Sequence, residues 1–263
     1  MQRQMAGKGA VLLSFTSFYR RSIKPILKAP KAFYKRWKWV RRLRGSAEER
    51  FTRIYEDKAW SSRESRSGTG SEYRYTAQLR SAMPGLFQTF GIRTILDAPC
   101  GDFNWMRHVV AETGINYVGG DIVKAMIEDN QQKYGTDSIR FQHLDITTGT
   151  LPQADMMMVR DCLFHLSYAD NMAFLDNFLS SGIPYLFTTT HLPSPDVSNH
   201  DILTGDFRFI DLFSAPFHFP AAPLLRVGDF IEGHKPREMC LFDRAQVQIA
   251  ADAMRRALAL STP

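Results

Sequence analysis

The chain has 263 residues, 44% hydrophobic and 12% aromatic, enough for one substantial domain with a packed core and an extension. No run of about 18 uninterrupted apolar residues occurs, so no transmembrane helix is expected, and Cys100, Cys162 and Cys240 lie scattered without CxxC or zinc-ligand spacing, which fits free thiols in a reducing compartment. The net charge of +6 conceals an asymmetry: residues 1–46 hold 13 Lys/Arg and no Asp/Glu, so the remainder carries −7.

In chain order, residues 8–44 come first. They interleave Val11, Leu12, Phe15, Phe18, Ile23, Ile26, Leu27, Phe33, Trp37 and Val40 with basic residues, and Pro25 and Pro30 interrupt any long helix. This composition suits a segment lying on an anionic membrane surface. A solvated basic tail fits about as well, an organellar presequence is similar in composition, and nucleic acid is the less favoured partner. No secretory signal is expected, because the apolar run is short and no clear small-residue cleavage site follows. The membrane reading gives a cytoplasmic protein, peripheral at the inner membrane face.

Ser46-Ala47-Glu48-Glu49 predicts a capping box and a helix through Trp60. The polar stretch 61–73, with Gly68 and Gly70, reads as a loop. A helix is expected from Ser71 toward Met83, with Pro84 opening a new turn to Phe90 and Gly91 ending it. A βα alternation follows. Arg93–Leu96 is a strand and 103–112 a helix. Tyr117–Gly120 is a strand, and 122–134 has helical spacing. Strands are expected at Ile139–Leu144 and Met156–Val159, a helix at Tyr168–Leu179 and a fifth strand at Pro184–Thr190. Arg226–Ile231 and Glu238–Phe242 pair as an antiparallel hairpin, and 243–260 is a helix.

Strands alternating with helices predict an α/β fold, a doubly wound, mostly parallel seven-stranded sheet with an N-terminal helical extension. The division is 1–45 basic and aromatic extension, 46–90 helical cap, and 91–263 main domain. Residues 192–224, rich in Pro, Asp and Phe and too long for a passive connection, form an insertion or lid.

In such a sheet the ligand lies beyond the carboxyl ends of the strands. Four consecutive strands end in polar residues: Asp97, Asp121, Asp145, and Arg160 with Asp161. A lone Asp after a strand is usually a helix cap; four along one edge are harder to dismiss. The first turn, DAPCGDFNW, has neither GxGxxG nor GxxxxGK[ST], so it offers no glycine cradle for a pyrophosphate. A ligand without phosphates fits better. Asp121 is placed to accept both hydroxyls of a ribose. Asp145 is placed to accept an adenine amino group, with a helix cap or turn as the equal alternative.

These residues carry a family resemblance. ILDAPCGDFNWM resembles the first motif of class I S-adenosylmethionine-dependent methyltransferases, commonly LDxGCGxG, and VGGDI resembles their acidic second-strand motif. HLDI and MMMVRDCLFHLS resemble the next two. The likeness covers roughly residues 90–191, with 226–242 resembling the reversed last strand. It is greatest to bacterial methyltransferase-domain proteins of surface-polysaccharide clusters, which carry SGxGS, VRDCLxHLS and TTTH, here at Ser67–Ser71, Val159–Ser167 and Thr188–His191. The resemblance implies an S-adenosyl-L-methionine cofactor held by Asp97, Cys100, Gly101, Asp121, Ile122 and Asp145. Pro99 and Phe103 replace the outer glycines of the first motif; Phe103 is expected to pack on the ligand and Pro99 to stiffen the turn.

Methyl transfer to oxygen needs in-line alignment and a base. Asp161, His165 and His191 are the candidates, with Arg160 beside the expected methyl position. Each has a plainer reading: Arg160 and Asp161 as loop braces, His165 as a buried, bonded histidine. Residues 192–220 offer Asn199, Asp201, Asp206 and Arg208 with Phe207, Phe213 and Phe217, a mix that suits a sugar. Trp60 and the SRSGTGS loop are placed to close over the cofactor, or Trp60 packs in the core. The expected function is O-methylation of a glycan or lipid-linked glycan acceptor. The alternatives are a nucleoside-cofactor oxidoreductase, a non-catalytic S-adenosylmethionine-binding scaffold or sensor, and a nucleic-acid methyltransferase, which the absence of an NPPY-type tetrad disfavours. Fold alone does not decide among them.

Overall fold

A computed structural model describes Trp39, Arg41 and residues 43–260. The chain divides into two units, Met1–Arg44 and Gly45–Pro263. The expectation of a membrane-surface segment at 8–44 falls almost wholly outside the described residues. Among the described residues no helix is long and apolar enough to cross a membrane.

The second unit opens with α1, Ala47–Glu56, capped as its sequence predicts. Ser46 Oγ accepts the Glu49 N–H, and the Glu49 carboxylate accepts the Ser46 N–H. The helix stops at Asp57, short of the expected Trp60, where Lys58 turns the chain with φ +51°. A short 3₁₀ turn spans Thr69–Ser71. Next, α2 runs unbroken over Ala77–Phe90 with Pro84 inside it, correcting the expected break. Proline removes one backbone donor. Leu79, Met83, Leu86 and Phe87 are all buried, and each contributes about 1.5–3 kcal/mol, enough to carry the helix past that loss.

The βα alternation then proceeds as β1 Thr94–Asp97, α3 Met106–Thr113, β2 Asn116–Asp121, α4 Lys124–Tyr134, β3 Ile139–His143 and β4 Met156–Val159. A 3₁₀ turn at Leu163–His165 follows, then α5 Tyr168–Ser181 and β5 Tyr185–His191. After the insertion come β6 Leu225–Gly228, β7 Arg237–Asp243 and α6 Arg244–Leu260. The seven strands lie in the order β3-β2-β1-β4-β5-β7-β6. The first five are parallel, while β7 inserts antiparallel between β5 and β6. The seven-stranded α/β sheet is thus the expected one.

Both faces of the sheet are covered. Along β4, Met157 and Val159 join one core cluster while Met156 and Met158 join the other, so the strand reads as a continuous apolar run. The chain winds outward from β1 in both directions, to β2 and to β4. That reversal opens a crevice beyond the carboxyl ends of the strands.

The insertion is not a detached lid. Its Ile210, Leu212, Phe217 and Phe219 are buried in the core. His191 donates its N–H to the Ile210 carbonyl at 2.8 Å, tying the segment to the end of β5.

Candidate active site

A cavity of about 1190 Å³, counted with its open mouth, occupies that crevice. It is lined by Asp97, Cys100, Gly101, Asp121, Ile122, Asp145, Arg160, Asp161 and His165 among others. The structure therefore brings nine of the eleven expected site residues together. The two it does not are Phe103 and His191.

Gly101 is the pivot of the first turn. Its φ of +58° lies in the left-handed region, and a Cβ there would overlap Ser67 Oγ and sit 3.0 Å from Ser67 Cβ. The Cys100 N–H donates to the Gly120 carbonyl at 2.8 Å, and Asn130 Nδ2 donates to the Gly101 carbonyl at 2.7 Å. Phe103 turns away from the cavity. It packs 4.7 Å from Tyr117, 5.4 Å from Tyr134 and 5.1 Å from Phe141, ring centroid to ring centroid. The expected ligand contact is corrected: a buried aromatic at this position closes the core under the turn.

The carboxylates differ in state. Asp97 is buried and accepts the Tyr117 hydroxyl at 2.7 Å; burial pushes its carboxyl up to about 7, against the lowering effects of that bond and of Arg160. Asp121 accepts the Val123 N–H at 2.9 Å and the Gly101 N–H at 3.2 Å. Burial still lifts it to about 6. Asp145 accepts both the N–H and the hydroxyl of Thr147, at 2.8 and 2.7 Å, through its Oδ1. The turn reading and the ligand reading coexist here, because a carboxylate oxygen has lone pairs beyond those a turn uses.

Arg160 and Asp161 belong to a buried network that the sequence alone does not reveal. Arg160 makes a two-pronged contact with Asp229, both bonds 2.9 Å, and donates to the Gly70 carbonyl at 2.7 Å. Arg237 binds Asp161 at 2.9 Å and Asp229 at 3.3 Å. Burial alone would raise the Asp161 carboxyl, but the Arg160 and Arg237 guanidinium groups, with His165 and His191 beyond, hold it below the ordinary range. A carboxylate held so firmly ionised is a poor proton acceptor. Asp161 is a fixed negative charge at the wall, with its backbone at a φ of +55°.

The two histidines are in opposite tautomers. The ring nitrogen Nδ1 of His165 faces the Asp206 carbonyl at 2.6 Å. A carbonyl only accepts, so Nδ1 carries the proton and Nε2 keeps its lone pair. His191 uses its Nδ1 lone pair to accept the Ile210 N–H at 3.2 Å, which leaves Nε2 as a donor. Burial and the nearby Arg237 push His191 down to about 4. His191 lies behind the cavity wall, against Phe164 and Phe209. The base role expected for it is corrected: its position and its spent lone pair both oppose it. His165, the weakest of the three on sequence, keeps the geometry of a base. Trp60 lines the cavity and stacks on it at 4.8 Å and 26°.

The 61–73 segment closes the site from the N-terminal side. Its clasp is Asp102, which accepts Ser65 Oγ at 3.0 Å, the Arg66 N–H at 2.7 Å and Ser67 Oγ at 3.2 Å. Sequence reading missed Asp102, Trp105, Asp229 and Arg237. The strap-like SRSGTGS composition was the available signal, but nothing in it names a partner some 35 residues away.

The polar wall foreseen on the insertion is also corrected. Asn199 bridges the Asp211 and Ala215 carbonyls, and Asp201 accepts the Tyr168 N–H at 2.7 Å. Arg208 is buried between Tyr168 and Phe217. Only Thr204 of this segment lines the cavity.

No protein-family model matches the sequence, nor does any curated protein. Solved structures do match in fold, which is that of the class I S-adenosylmethionine-dependent methyltransferases. A Burkholderia thailandensis 1,6-didemethyltoxoflavin N1-methyltransferase, crystallised with S-adenosylhomocysteine, superimposes with a TM-score of 0.56 at 14% identity, over 74% of this chain and 86% of that one. A Synechocystis magnesium protoporphyrin IX methyltransferase, also with S-adenosylhomocysteine, gives 0.54 at 10% identity, over 76% and 100%. Human N-acetylserotonin methyltransferase, with S-adenosylmethionine, gives 0.51 at 14%, over 86% and 68%.

Proposed function

We propose that this chain is an S-adenosylmethionine-dependent methyltransferase that acts on a hydroxyl oxygen. The observation that carries the reading is the convergence of Asp97, Asp121, Asp145 and His165 on one cavity at the carboxyl edge of this sheet. The residues present fit the cofactor. Asp121 and Asp145 offer carboxylate acceptors, Ile122, Val123, Met126 and Ile146 offer an apolar slot, and the first turn has no cradle for phosphates. Asp97 offers a buried carboxylate to a cationic amino-acid end.

The bound cofactor would supply an activated methyl group. The chain's own part is to orient the acceptor and take its proton. His165, with its proton on Nδ1, would accept the acceptor's hydroxyl proton at Nε2 and afterwards return it to water. Asn199 and Asp201, two of the polar residues that suggested a glycan, are committed to structural bonds and do not line the cavity, so this reading stops at a hydroxyl oxygen.

The test is calorimetric titration with S-adenosylmethionine, S-adenosylhomocysteine and NAD, beside Asp121→Ala. Saturable binding of the S-adenosyl ligands, lost in the variant, supports the reading. A response to NAD alone would indicate an oxidoreductase, and binding without turnover on any acceptor a sensor.

We infer separately that residues 8–44 contact an anionic membrane surface, on the strength of their basic and aromatic composition. Removing residues 1–44 should abolish sedimentation with phosphatidylserine vesicles and leave cofactor affinity intact. Unchanged sedimentation would sink the idea.

A further inference from the structure

Resting on the methyltransferase reading above, in which His165 takes the acceptor's proton, we propose that Thr204 is the positioning residue for that base: its side chain fixes the register of residues 204–208 against His165 and so holds the ring proton on Nδ1.

Thr204 is buried and lines the cavity together with His165, Leu166 and Asp170. Its hydroxyl completes the cap of α5. Ser167 is the N-cap residue, and its Oγ accepts the Asp170 N–H at 3.0 Å. In a capping box the side chain three residues on reaches back to the N–H of the cap residue, and glutamate or glutamine does so directly. Asp170 is one methylene shorter than glutamate, and a hydroxyl from the insertion spans the difference. The Ser167 N–H donates to Thr204 Oγ1 at 2.8 Å, and the Thr204 hydroxyl donates to the Asp170 carboxylate. A hydroxyl has one proton to give. This one goes to a carboxylate, so the side chain has a single fully bonded orientation.

That peg sets the chain that follows it. The Gly205 N–H donates to the His165 carbonyl at 2.7 Å, the Asp206 carbonyl faces His165 Nδ1 at 2.6 Å, and the Arg208 N–H donates to the Phe164 carbonyl at 3.2 Å. One segment therefore holds His165 by its backbone and by its ring. A slip of that segment would take the Asp206 carbonyl off Nδ1 and release the tautomer. The Thr204 carbonyl also accepts Arg50 Nη1 at 3.0 Å, which ties the same residue to α1, the helix leading to Trp60. Asn171 is the competing candidate. Its Nδ2 donates to the carbonyls of Leu163, Leu166 and Ser167 at 3.1, 3.0 and 2.9 Å. Those bonds hold the backbone of the turn and leave the ring to the insertion.

The test uses the full chain with its histidine ring nitrogens isotope-labelled, read by nuclear magnetic resonance with and without S-adenosylhomocysteine. The His165 signals are those missing from His165→Gln. The native protein should show a neutral His165 ring protonated at Nδ1, with that proton slow to exchange. Thr204→Val keeps a similar shape and loses the hydroxyl; its Nδ1 proton should exchange at least tenfold faster, and the Nε2-protonated ring should become populated. Thr204→Ser keeps the hydroxyl and should retain the native signature. Asp170→Ala removes the far end of the relay and should shift the ring as Thr204→Val does; it decides the matter if urea unfolding shows that the buried valine has unfolded the chain. The proposal is overturned if the native ring is protonated at Nε2, if the folded hydroxyl-deleting or carboxylate-deleting variant keeps the native tautomer and exchange, or if Thr204→Ser loses them. Failure of S-adenosylhomocysteine to bind the native protein would remove the methyltransferase reading while the tautomer measurement still stands, a distinguishable result.

Discussion

Trp60 lies flat against His165, 4.8 Å between ring centroids, while the Asp206 carbonyl fixes the proton on the far ring nitrogen. The pair defines a neutral imidazole in a dry setting. Burial disfavours the imidazolium, so the group titrates below the usual value of about 6.5. Turnover requires the neutral form; it should rise with pH through that lowered value and level off above it. Trp60→Ala admits water, so the acid limb should move to higher pH, toward about 6.5. A pH–rate profile of the two proteins checks this, and an unmoved limb would argue that His165 is not the base.

Gly101 and Ser67 are packed so closely that no side chain fits between them. Gly101→Ala adds a clash to a φ of +58° and should weaken S-adenosylhomocysteine binding by more than tenfold. Adding Ser67→Gly to that variant removes the clash but not the backbone strain. Calorimetry should therefore show partial recovery. Full recovery would mean that the strain is unimportant, and none that the clash is.

Asp97 and Asp121, lifted by burial to about 7 and about 6, make cofactor binding depend on pH. A cationic ligand prefers the ionised carboxylates and expels their protons on binding. Affinity should thus climb as pH rises through 6 and 7, by about tenfold per unit below 7 from Asp97, and then flatten. Asp97→Asn should lose the upper step. In the ligand-free protein the sign is opposite. The folded state keeps a proton on Asp97 that the unfolded chain releases above about 3.9, so stability should fall as pH rises from about 4 through 7. Urea titrations at several pH values, with Asp97→Asn as control, measure it.

Asp229 is fully buried and holds both Arg160 and Arg237. Removing it leaves two guanidinium groups competing for Asp161. Asp229→Ala should cost about 3–5 kcal/mol in urea unfolding, more than a surface pair ever does. Asp229→Asn keeps an acceptor oxygen and should cost less. Equal, small losses in both variants would show that solvent reaches the network.

The periodicities of the chain largely set the fold. Alternating strand and helix signals from Thr94 to His191 match the observed elements to within a few residues, because apolar spacing and local turn chemistry act over a few positions. The Ser46 cap and the row of strand-end residues Asp97, Asp121, Asp145 and Arg160 were legible for the same reason: a parallel sheet delivers all its carboxyl ends to one edge. Pro84 misled, since the sequence shows the lost N–H but not the four buried neighbours that outweigh it.

What local sequence could not carry was the assignment of roles within the site. His165 and His191 are the same residue type near the carboxyl ends of adjacent strands, and it is their place at the cavity wall and the partner of each ring that separate them. One meets a carbonyl, Asp206, and keeps a free lone pair; the other meets an N–H, Ile210, and spends it. Both partners come from the insertion, some 20 to 40 residues downstream. Likewise Asp161 looks like a base until Arg160 and Arg237 close on it. Sequence determined which groups reach the edge of the sheet. Their protonation states, and hence their chemistry, follow from contacts between segments distant in the chain, which only the tertiary structure decides.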